Sequence, residues 1–410
     1  MKKIVLLSLI ASSMLMAGGY KIPETSLNAV ALSAANIAHN KSADAAYYNP
    51  ANMVFMEDKN NMELDLTYIG LNPINYKGTV SGTNQDLDAQ SESFVVPTLH
   101  YVSGKTGEAR IGLSIVSPGG LSKRWNEEPA KTKAEEFTLK IIEINPTFAI
   151  PLSDKVSLAF GFRIVHTSGV VKSNGNIGGP FTASRDMTGD ALDYGYNLAL
   201  AYKPTSDLEL AATYRSNVNL NVEGNAKLVT TAGGGSTYDG EAKVRVPLPA
   251  TFSAAAAYTL PSKTTVEFVY ERTMWSAYKD LDFDYDGTES ATLASIFGAS
   301  VEKNWKDTNA FRLGLTQELE SMTLMAGIVY DESPVPSKTL GFELPDSNSF
   351  SVSLGGRYQI NDKIEVGLSA LYSMRETRKI ETSDANDNNL VGEFTNSNAL
   401  LISTGVSYKF

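Results

Sequence analysis

The sequence predicts an all-β fold: a 14-stranded antiparallel transmembrane β-barrel with a small, partly helical plug at its N-terminus. The last eleven residues alternate strictly between an apolar and a polar face. This pattern indicates a strand, because successive side chains point to opposite faces. Similar segments follow along most of the chain, and short and long connections alternate between them. An even-stranded barrel with short turns at one rim and long loops at the other has this arrangement.

The final strand shows the alternation most clearly. Ile402, Val406 and Tyr408 share one face, and Ser403 lies on the other. In a soluble sheet the apolar face would cover a core, whereas in an outer-membrane barrel it faces lipid and the polar face lines the lumen. A chain that ends on an aromatic residue is typical of such barrels. We therefore expect the barrel-assembly machinery to recognise the strand that ends at Phe410.

Fourteen strand candidates precede or include this segment, and their connections carry further information. Six connections are tight, and seven are longer, at about residues 72–91, 118–135, 172–189, 223–243, 286–307, 332–347 and 382–395. A soluble β-sandwich gives no reason for such regular alternation. The candidates are centred near Leu66, Leu99, Leu113, Ile144, Phe162, Leu198, Ala212, Ala254, Val269, Leu313, Ala326, Val352, Leu368 and Val406.

The composition excludes several classes of protein. The chain is 42% apolar and 20% charged, with no cysteine and a net charge of −11. An acidic chain does not suit nucleic acid, which is bound by basic surfaces. The three histidines (His39, His100 and His166) lack the spacing of a metal site. No recognisable catalytic constellation is present, so we expect neither an enzyme nor a bound metal or cofactor.

The N-terminus predicts export from the cytoplasm. Lys2 and Lys3 precede an apolar run at residues 4–16, and Ala17 begins a run of small residues. This is the layout of a secretory signal peptide, which we place at residues 1–17. No later run approaches the ~20 apolar residues that a spanning helix requires.

Residues 18–60 are predicted to form the plug, and residues 61–410 the barrel. The stretches 33–38 and 43–46 are rich in small residues and have helical rather than alternating character. The segment is too apolar for a disordered arm. It closes with the tripeptide Asn49-Pro50-Ala51.

The strand pattern also assigns side chains to the lumen. If each apolar face meets lipid, Arg163, Arg215 and Arg312 point inward. Ion pairs that hold barrel and plug together are the commoner reason for such charges, and contact with a substrate carboxylate is the alternative. Many inward positions are small, which leaves volume for a plug: Gly112, Gly161, Gly195, Gly314, Gly327, Gly355, Gly367 and Gly405.

These residues resemble the FadL family of outer-membrane transporters for long-chain fatty acids and other hydrophobic compounds. The plug, with Asn49-Pro50-Ala51, is similar to the hatch of that family. Similar motifs of the later strands are Tyr214-Arg215-Ser216, Trp305-Lys306-Asp307-Thr308, and Asp331-Glu332-Ser333-Pro334-Val335-Pro336 followed by Leu344-Pro345-Asp346.

The resemblance implies capture of substrate in an apolar groove between extracellular loops, transfer to a lumenal pocket with basic side chains, and passive exit after the hatch shifts. Lys303 and Lys172 lie close to the basic positions of the family, although a gapless match selects Val301 and Ser173 instead. Arg163, Arg215 and Arg312 are further candidates for the carboxylate. The groove candidates, for which packing of loop against loop is the alternative, are Leu121, Trp125, Leu293, Ile296 and Phe297.

Other functions remain open at this stage. A surface-binding adhesin or receptor could use the same closed barrel, and aromatic hydrocarbons could replace fatty acids as substrates. A general diffusion porin fits the barrel but not the plug. In each case we expect a monomer in the outer membrane of a Gram-negative bacterium, in contact with membrane lipid and lipopolysaccharide.

Overall fold

The computed structural model describes residues 18–287 and 290–410, so the predicted signal peptide lies outside the described residues. Within them, fourteen antiparallel strands close into a barrel, because the last strand pairs with the first. The predicted fold is confirmed. The strands are β1 (Asn61–Leu71), β2 (Glu92–Val102), β3 (Arg110–Val116 and Gly120–Arg124), β4 (Glu136–Ser153), β5 (Val156–Gly178), β6 (Phe181–Tyr202), β7 (Leu208–Arg215 and Val218–Thr230), β8 (Ser236–Leu248 and Thr251–Thr259), β9 (Thr264–Thr273), β10 (Thr308–Glu318), β11 (Met322–Asp331), β12 (Ser349–Gln359), β13 (Ile364–Arg375) and β14 (Ala399–Lys409).

The two faces of the barrel wall have the opposite polarity to a soluble protein. On β1, Leu64 and Leu66 are each 47% exposed, whereas Glu63 and Asp65, which alternate with them, are fully buried. Apolar side chains on the outer face need lipid rather than water around them. Polar side chains on the inner face need partners inside the barrel, because burying an unpaired charge is costly.

Two segments predicted as long loops are strands instead. β5 and β6 continue through residues 172–189 to a turn at Gly179, and β7 and β8 continue through residues 223–243 to a turn around Gly233. The prediction was wrong here because these extensions contain few apolar residues. Met187, Ala226 and Leu228 are buried on one face, but most of the other residues are polar or glycine, so too few apolar positions alternate to mark a strand.

The remaining loops pack against one another at the rim opposite the tight turns. They contain a four-stranded sheet (Asn75–Val80, Thr83–Asp88, Arg378–Ile380 and Leu390–Thr395), three further short strands (Asp280–Leu281, Phe283–Tyr285 and Val301–Glu302), α3 (Ala130–Ala134), α4 (Ala291–Phe297) and 3-10 turns at Ala232–Gly234, Trp275–Ala277 and Thr382–Asp384. Tyr76 and Phe394 of this sheet form an aromatic cluster with Phe342. The loops are therefore ordered by their own apolar core.

The plug contains α1 (Leu27–Ala31), α2 (Ala45–Tyr48) and a 3-10 helix (Pro50–Phe55). The side chain of Ser26 caps α1 by accepting the N–H of Ala29. Residues 33–38, predicted as helical, are not: Ser33 and Ala34 have positive φ angles of 49° and 60°, which no right-handed helix accommodates. No helix in the described residues is long and apolar enough to cross a bilayer.

The inward glycines of the wall are the places where the plug approaches it. A Cβ on Gly314 would lie 2.9 Å from the Cβ of Ala35, and one on Gly355 would lie 2.7 Å from that of Ala31. At Gly327 an added Cβ would overlap the backbone of Leu32. Residues 18–60 therefore occupy the spare volume at these glycines, whereas Gly161 and Gly195 make room for side chains of the wall itself.

Gly327→Val should displace the plug without preventing closure of the barrel, because the three atoms nearest to an added Cβ all belong to the backbone of Leu32. We expect the plug to be digested several-fold faster by protease in detergent, while the barrel keeps its heat-modifiable migration. Gly169→Val is the matched control, since the nearest atom to a Cβ there lies 3.7 Å away. Equal digestion of both variants would contradict this account of the fit.

Candidate functional site

A narrow central cavity of about 60 Å³ lies between the plug and the strands β5, β7, β8, β9 and β10. Its ionisable lining consists of four basic side chains (Lys21, Arg163, Arg215 and Arg312) and one carboxylate, Glu271. The three arginines predicted to face the lumen thus meet around one space. Its other lining residues are Ile22, Pro23, Ala34, Ile37, Tyr47, Tyr48, Pro118, Thr213, Leu248, Pro249, Thr251, Ser253 and Val269.

Arg163 and Arg215 share a single partner, the fully buried carboxylate of Glu143. Arg163 donates to it from Nε at 3.1 Å and from Nη2 at 2.9 Å, and Arg215 donates to its other oxygen. The guanidinium of Arg215 also lies over the ring of Tyr47, 4.1 Å from its centroid. Two cations with one anion leave a net positive charge on this side of the cavity.

Arg312 connects the wall to the plug on the opposite side. It donates to the backbone oxygen of Ser33 at 2.9 Å and to Glu271 at 3.2 Å. Lys21 of the plug also pairs with Glu271. Glu24 lies 3.9 Å from Arg312, and burial raises the pKa of its carboxyl group more than the neighbouring cations lower it.

An outer cavity of about 30 Å³ lies among the loops above the central one. Leu121 and Lys303, both predicted as substrate contacts, line it together with Trp305. Lys303 is buried and pairs with Glu343 at 2.5 Å. Burial alone would raise the pKa of the Glu343 carboxyl group. The Lys303 ammonium and hydrogen bonds outweigh burial, so the pKa lies below its ordinary value. The indole N–H of Trp305 has no acceptor among the described residues.

Tyr20 separates the outer cavity from the central one. Its ring packs edge-on against Trp275, with centroids 4.8 Å apart, and lies 5.6 Å from the ring of Trp305. Lys21, the next residue, already lines the central cavity. Gly19 has a φ of 76°, and a Cβ there would lie 2.8 Å from both indoles. The aromatic contacts therefore require glycine at this position.

A third cavity, of about 150 Å³, lies at the rim that carries the tight turns. It is bounded by the plug and by the ends of β10 to β14 and β1. Its lining is polar and includes Lys41 of the plug, which pairs with Glu318 at 2.7 Å. Along β10, Arg312 lines the central cavity and Thr316 lines this one, which places the cavities in series along the barrel axis.

Several predicted site residues lie away from these cavities. Lys172 is nine residues from the inward-facing Arg163 and so lies on the other face of β5, where it is 3.7 Å from Asp186. Trp125 is fully buried and donates its indole N–H to the backbone oxygen of Phe342 at 2.8 Å. α4 packs against the extensions of β7 and β8, and its contact residues are Leu293, Ile296 and Phe297.

The Asn49-Pro50-Ala51 motif holds the plug together. The side chain of Asn49 accepts the N–H of Ala51 at 3.1 Å, which caps the 3-10 helix that Pro50 begins. Its amide donates to the backbone oxygen of Ile37 at 2.9 Å. Among the described residues, its hydrogen bond to the wall is a long one, of 3.4 Å, to the backbone oxygen of Leu200. Asn49 thus stabilises mainly the plug itself.

Sequence reasoning missed the carboxylates that organise the site. Glu143 lies on β4, where Pro146 interrupts the alternation, and Glu271 lies on β9, whose pattern is also weak. Glu267 of β9 accepts three consecutive backbone N–H groups, those of residues 37–39, at 2.7, 2.6 and 3.1 Å. Alternation along β4 and β9 assigns these carboxylates to the inward face, and this was the signal that could have identified them.

The fold and the site define a transmembrane β-barrel closed by its own N-terminal plug, with cavities on both sides of that plug. A family model described as outer membrane protein transport protein (OMPP1/FadL/TodX) matches residues 8–410. The chain belongs to this family and is an outer-membrane protein. The resemblance and the location predicted from the sequence are confirmed.

Individual relatives agree with this assignment. The chain is 24% identical over 366 residues to the long-chain fatty acid transport protein of Salmonella typhi, with 81% of each chain covered. A FadL homologue of Pseudomonas aeruginosa matches with a TM-score of 0.83 at 20% identity, covering 95% of this chain and 99% of that one. The Pseudomonas putida toluene transporter TodX matches with a TM-score of 0.72 at 18% identity, covering 96% and 99%. At these identities the solved structures support the fold.

Asn49→Ala should loosen residues 37–39. It removes two buried hydrogen bonds, each worth ~1 kcal/mol, and we expect the amides of these residues to exchange with solvent about tenfold faster. Asn49→Asp keeps the acceptor for the N–H of Ala51 and loses only the donor to Ile37. If the donor is the important group, both variants speed exchange, as hydrogen-exchange mass spectrometry would show. Unchanged exchange in Asn49→Asp would remove this role from the amide.

Proposed function

We propose that the protein takes up long-chain fatty acids, or similar hydrophobic molecules with a carboxylate, by passive diffusion across the outer membrane. The observation that carries the proposal is the series of three cavities. The outer cavity is mostly apolar, the central one joins apolar and basic side chains, and the third is polar and lies beyond the plug. A molecule entering from outside meets them in that order.

The outer cavity suits capture of an apolar chain. Leu121, Phe137 and Leu139 give it an apolar wall, and apolar side chains shielded only by loops are a common basis for ligand binding. Two polar groups can orient an entering carboxylate, the Lys303 ammonium and the unpaired indole N–H of Trp305. The Lys303 ammonium then releases Glu343 and pairs with the carboxylate of the ligand, so it has an anionic partner before and after binding.

The charge of the central cavity favours an acid over a neutral hydrocarbon. Four cations and one carboxylate line it, and Arg163 and Arg215 divide one carboxylate between them. A substrate carboxylate can bind these side chains, because guanidinium groups bind carboxylates with strong, charge-assisted hydrogen bonds. A toluene-like molecule would form no such hydrogen bond with them. The relatives include both a long-chain fatty acid transport protein and a toluene transporter, and the charges support the first of these precedents.

The wall and the terminus add partners to the proposal. The apolar outer face contacts membrane lipid and lipopolysaccharide, and the assembly machinery recognises the last strand through Phe410, whose ring stacks on that of Tyr408. No step in this path needs a covalent reaction or an energy source, so transport rather than catalysis is proposed.

Uptake of labelled oleate and labelled toluene tests the proposal in cells that lack their own transporter. We expect oleate to enter many times faster than in empty cells, and toluene to enter little faster. Equal entry of toluene and oleate would point to hydrocarbon uptake, and entry of neither would overturn the proposal.

Arg215→Gln should lower oleate uptake several-fold, because it removes one cavity cation while Arg163 still neutralises Glu143. Lys172→Gln is the matched control: it also removes one positive charge, but from the outer face of β5, and should leave uptake unchanged. Barrel assembly is checked in both variants by heat-modifiable migration. An equal loss in the two variants would separate oleate uptake from the central cavity.

A further inference from the structure

Lys123 is a buried lysine near the loop end of β3, beside the outer cavity. Its side chain and backbone together are only 1% exposed. Within residues 18–287 and 290–410, its ammonium group forms neither a hydrogen bond nor an ion pair. Burying an unpaired charge costs free energy, so native proteins rarely keep one without a reason. This lysine therefore needs a partner that the described part of the chain does not supply.

The charges next to Lys123 do not neutralise it. Glu92 is the neighbouring carboxylate, and it already accepts from the guanidinium of Arg124 at 3.1 Å. Arg375, the other neighbour, is itself a cation and pairs with Asp346. Three cations and two carboxylates thus share this part of the lumen. One positive charge is left in excess, and it belongs to the residue without a partner.

Buried polar atoms that lack partners are concentrated around the same point. They lie near the loop ends of β2, β12 and β13, where Ser349 pairs with Arg375 across the sheet. Among the described residues, the atoms without a hydrogen bond here are Oε1 of Glu92, Nη2 of Arg375 and the hydroxyl oxygens of Ser347, Ser349 and Ser373. Buried polar groups in proteins are nearly always satisfied, so this layer is suited to a polar occupant.

The apolar wall of the outer cavity begins directly beside Lys123. Leu121 lies two residues earlier on the same face of β3, and Phe137 is the residue opposite Lys123 on β4. Both Leu121 and Phe137 line the outer cavity. Residues two apart in a strand are separated by about 7 Å, which is the length of a few methylene groups. An amphiphile can therefore place its charged head on Lys123 and its chain against this wall.

We propose that Lys123 binds the carboxylate of an entering acid while the chain of the acid lies against Leu121 and Phe137. The proposal rests on the proposed function and deepens it, because it names the residue that receives the head group in the outer part of the path. Lys303 gives up Glu343, its partner at 2.5 Å, to bind an acid, whereas Lys123 gives up no partner. The ammonium and the carboxylate form a charge-assisted hydrogen bond. An alcohol or a hydrocarbon of the same length forms none.

Lys123→Met tests the site in the purified full-length protein, because it keeps the length of the side chain and removes its charge. We expect the affinity for labelled oleate in detergent to fall about tenfold, the effect of losing one charge-assisted bond. The affinity for oleyl alcohol, which has the same chain without the carboxylate, should stay the same. Equal losses for acid and alcohol would overturn the proposal, and so would an unchanged affinity for both.

Thermal unfolding without ligand distinguishes a binding lysine from a structural one. Lys123→Met should unfold at a higher temperature than the unsubstituted protein, since it replaces an unpaired buried charge by an apolar group of similar volume. The unfolding temperature is measured by heat-modifiable migration. A lower unfolding temperature would mean that the ammonium group stabilises the loops through a partner of its own, and the proposal would then be wrong.

Lys131→Met is the matched control. Lys131 belongs to α3 in the same loop and pairs with Glu135 at 3.5 Å near the surface. This variant should bind oleate as the unsubstituted protein does. Uptake by the unsubstituted protein separates the two levels of the account. If it takes up no oleate, the proposed function fails; if it takes up oleate and Lys123→Met binds the acid equally well, only the assignment of Lys123 fails.

Discussion

A barrel of fourteen strands encloses more space than inward glycines, alanines and serines can fill, and this constraint shapes the rest of the molecule. The plug fills the space at Gly314, Gly327 and Gly355, where side chains on the wall would collide with it. Charges enclosed in the lumen must then find partners, because breaking a buried ion pair costs ~3–5 kcal/mol. Arg312 and Arg357 each join a plug group and a wall carboxylate. The plug therefore both fills the barrel and supplies partners for the charges that the lumen encloses.

The same network supplies the chemistry of the path. A charge that holds the plug and a charge that meets a substrate need not be different residues. Arg163 and Arg215 stabilise Glu143 and still present excess positive charge to the central cavity, because two cations share one anion. Arg312 holds the backbone oxygen of Ser33 and pairs with Glu271, so it joins the plug to the wall while it lines the central cavity.

Much of this architecture could be predicted from the sequence, since alternation of hydrophobicity is a direct record of lipid on one side and lumen on the other. It placed the fourteen strand centres and the inward arginines, and it failed at the hairpins around Gly179 and Gly233, where few apolar residues alternate. The carboxylates Glu143 and Glu271 were missed because their strands alternate poorly. Lys172 was assigned to the site by nearness in sequence to a family position, but parity places it on the other face. Trp125 was predicted to contact substrate because it is an apolar loop residue. It is buried instead by packing between loops that are distant in sequence, and a single sequence does not predict such contacts.

The central claim is that residues 18–60 close an otherwise open lumen, and conductance across a planar bilayer tests it most directly. The intact protein should pass little current. A variant lacking residues 18–53, shown by heat-modifiable migration to form the same barrel, should conduct many times more, because the three cavities then merge into one water-filled pore. A large conductance with the plug intact, or no rise when it is removed, would contradict the account.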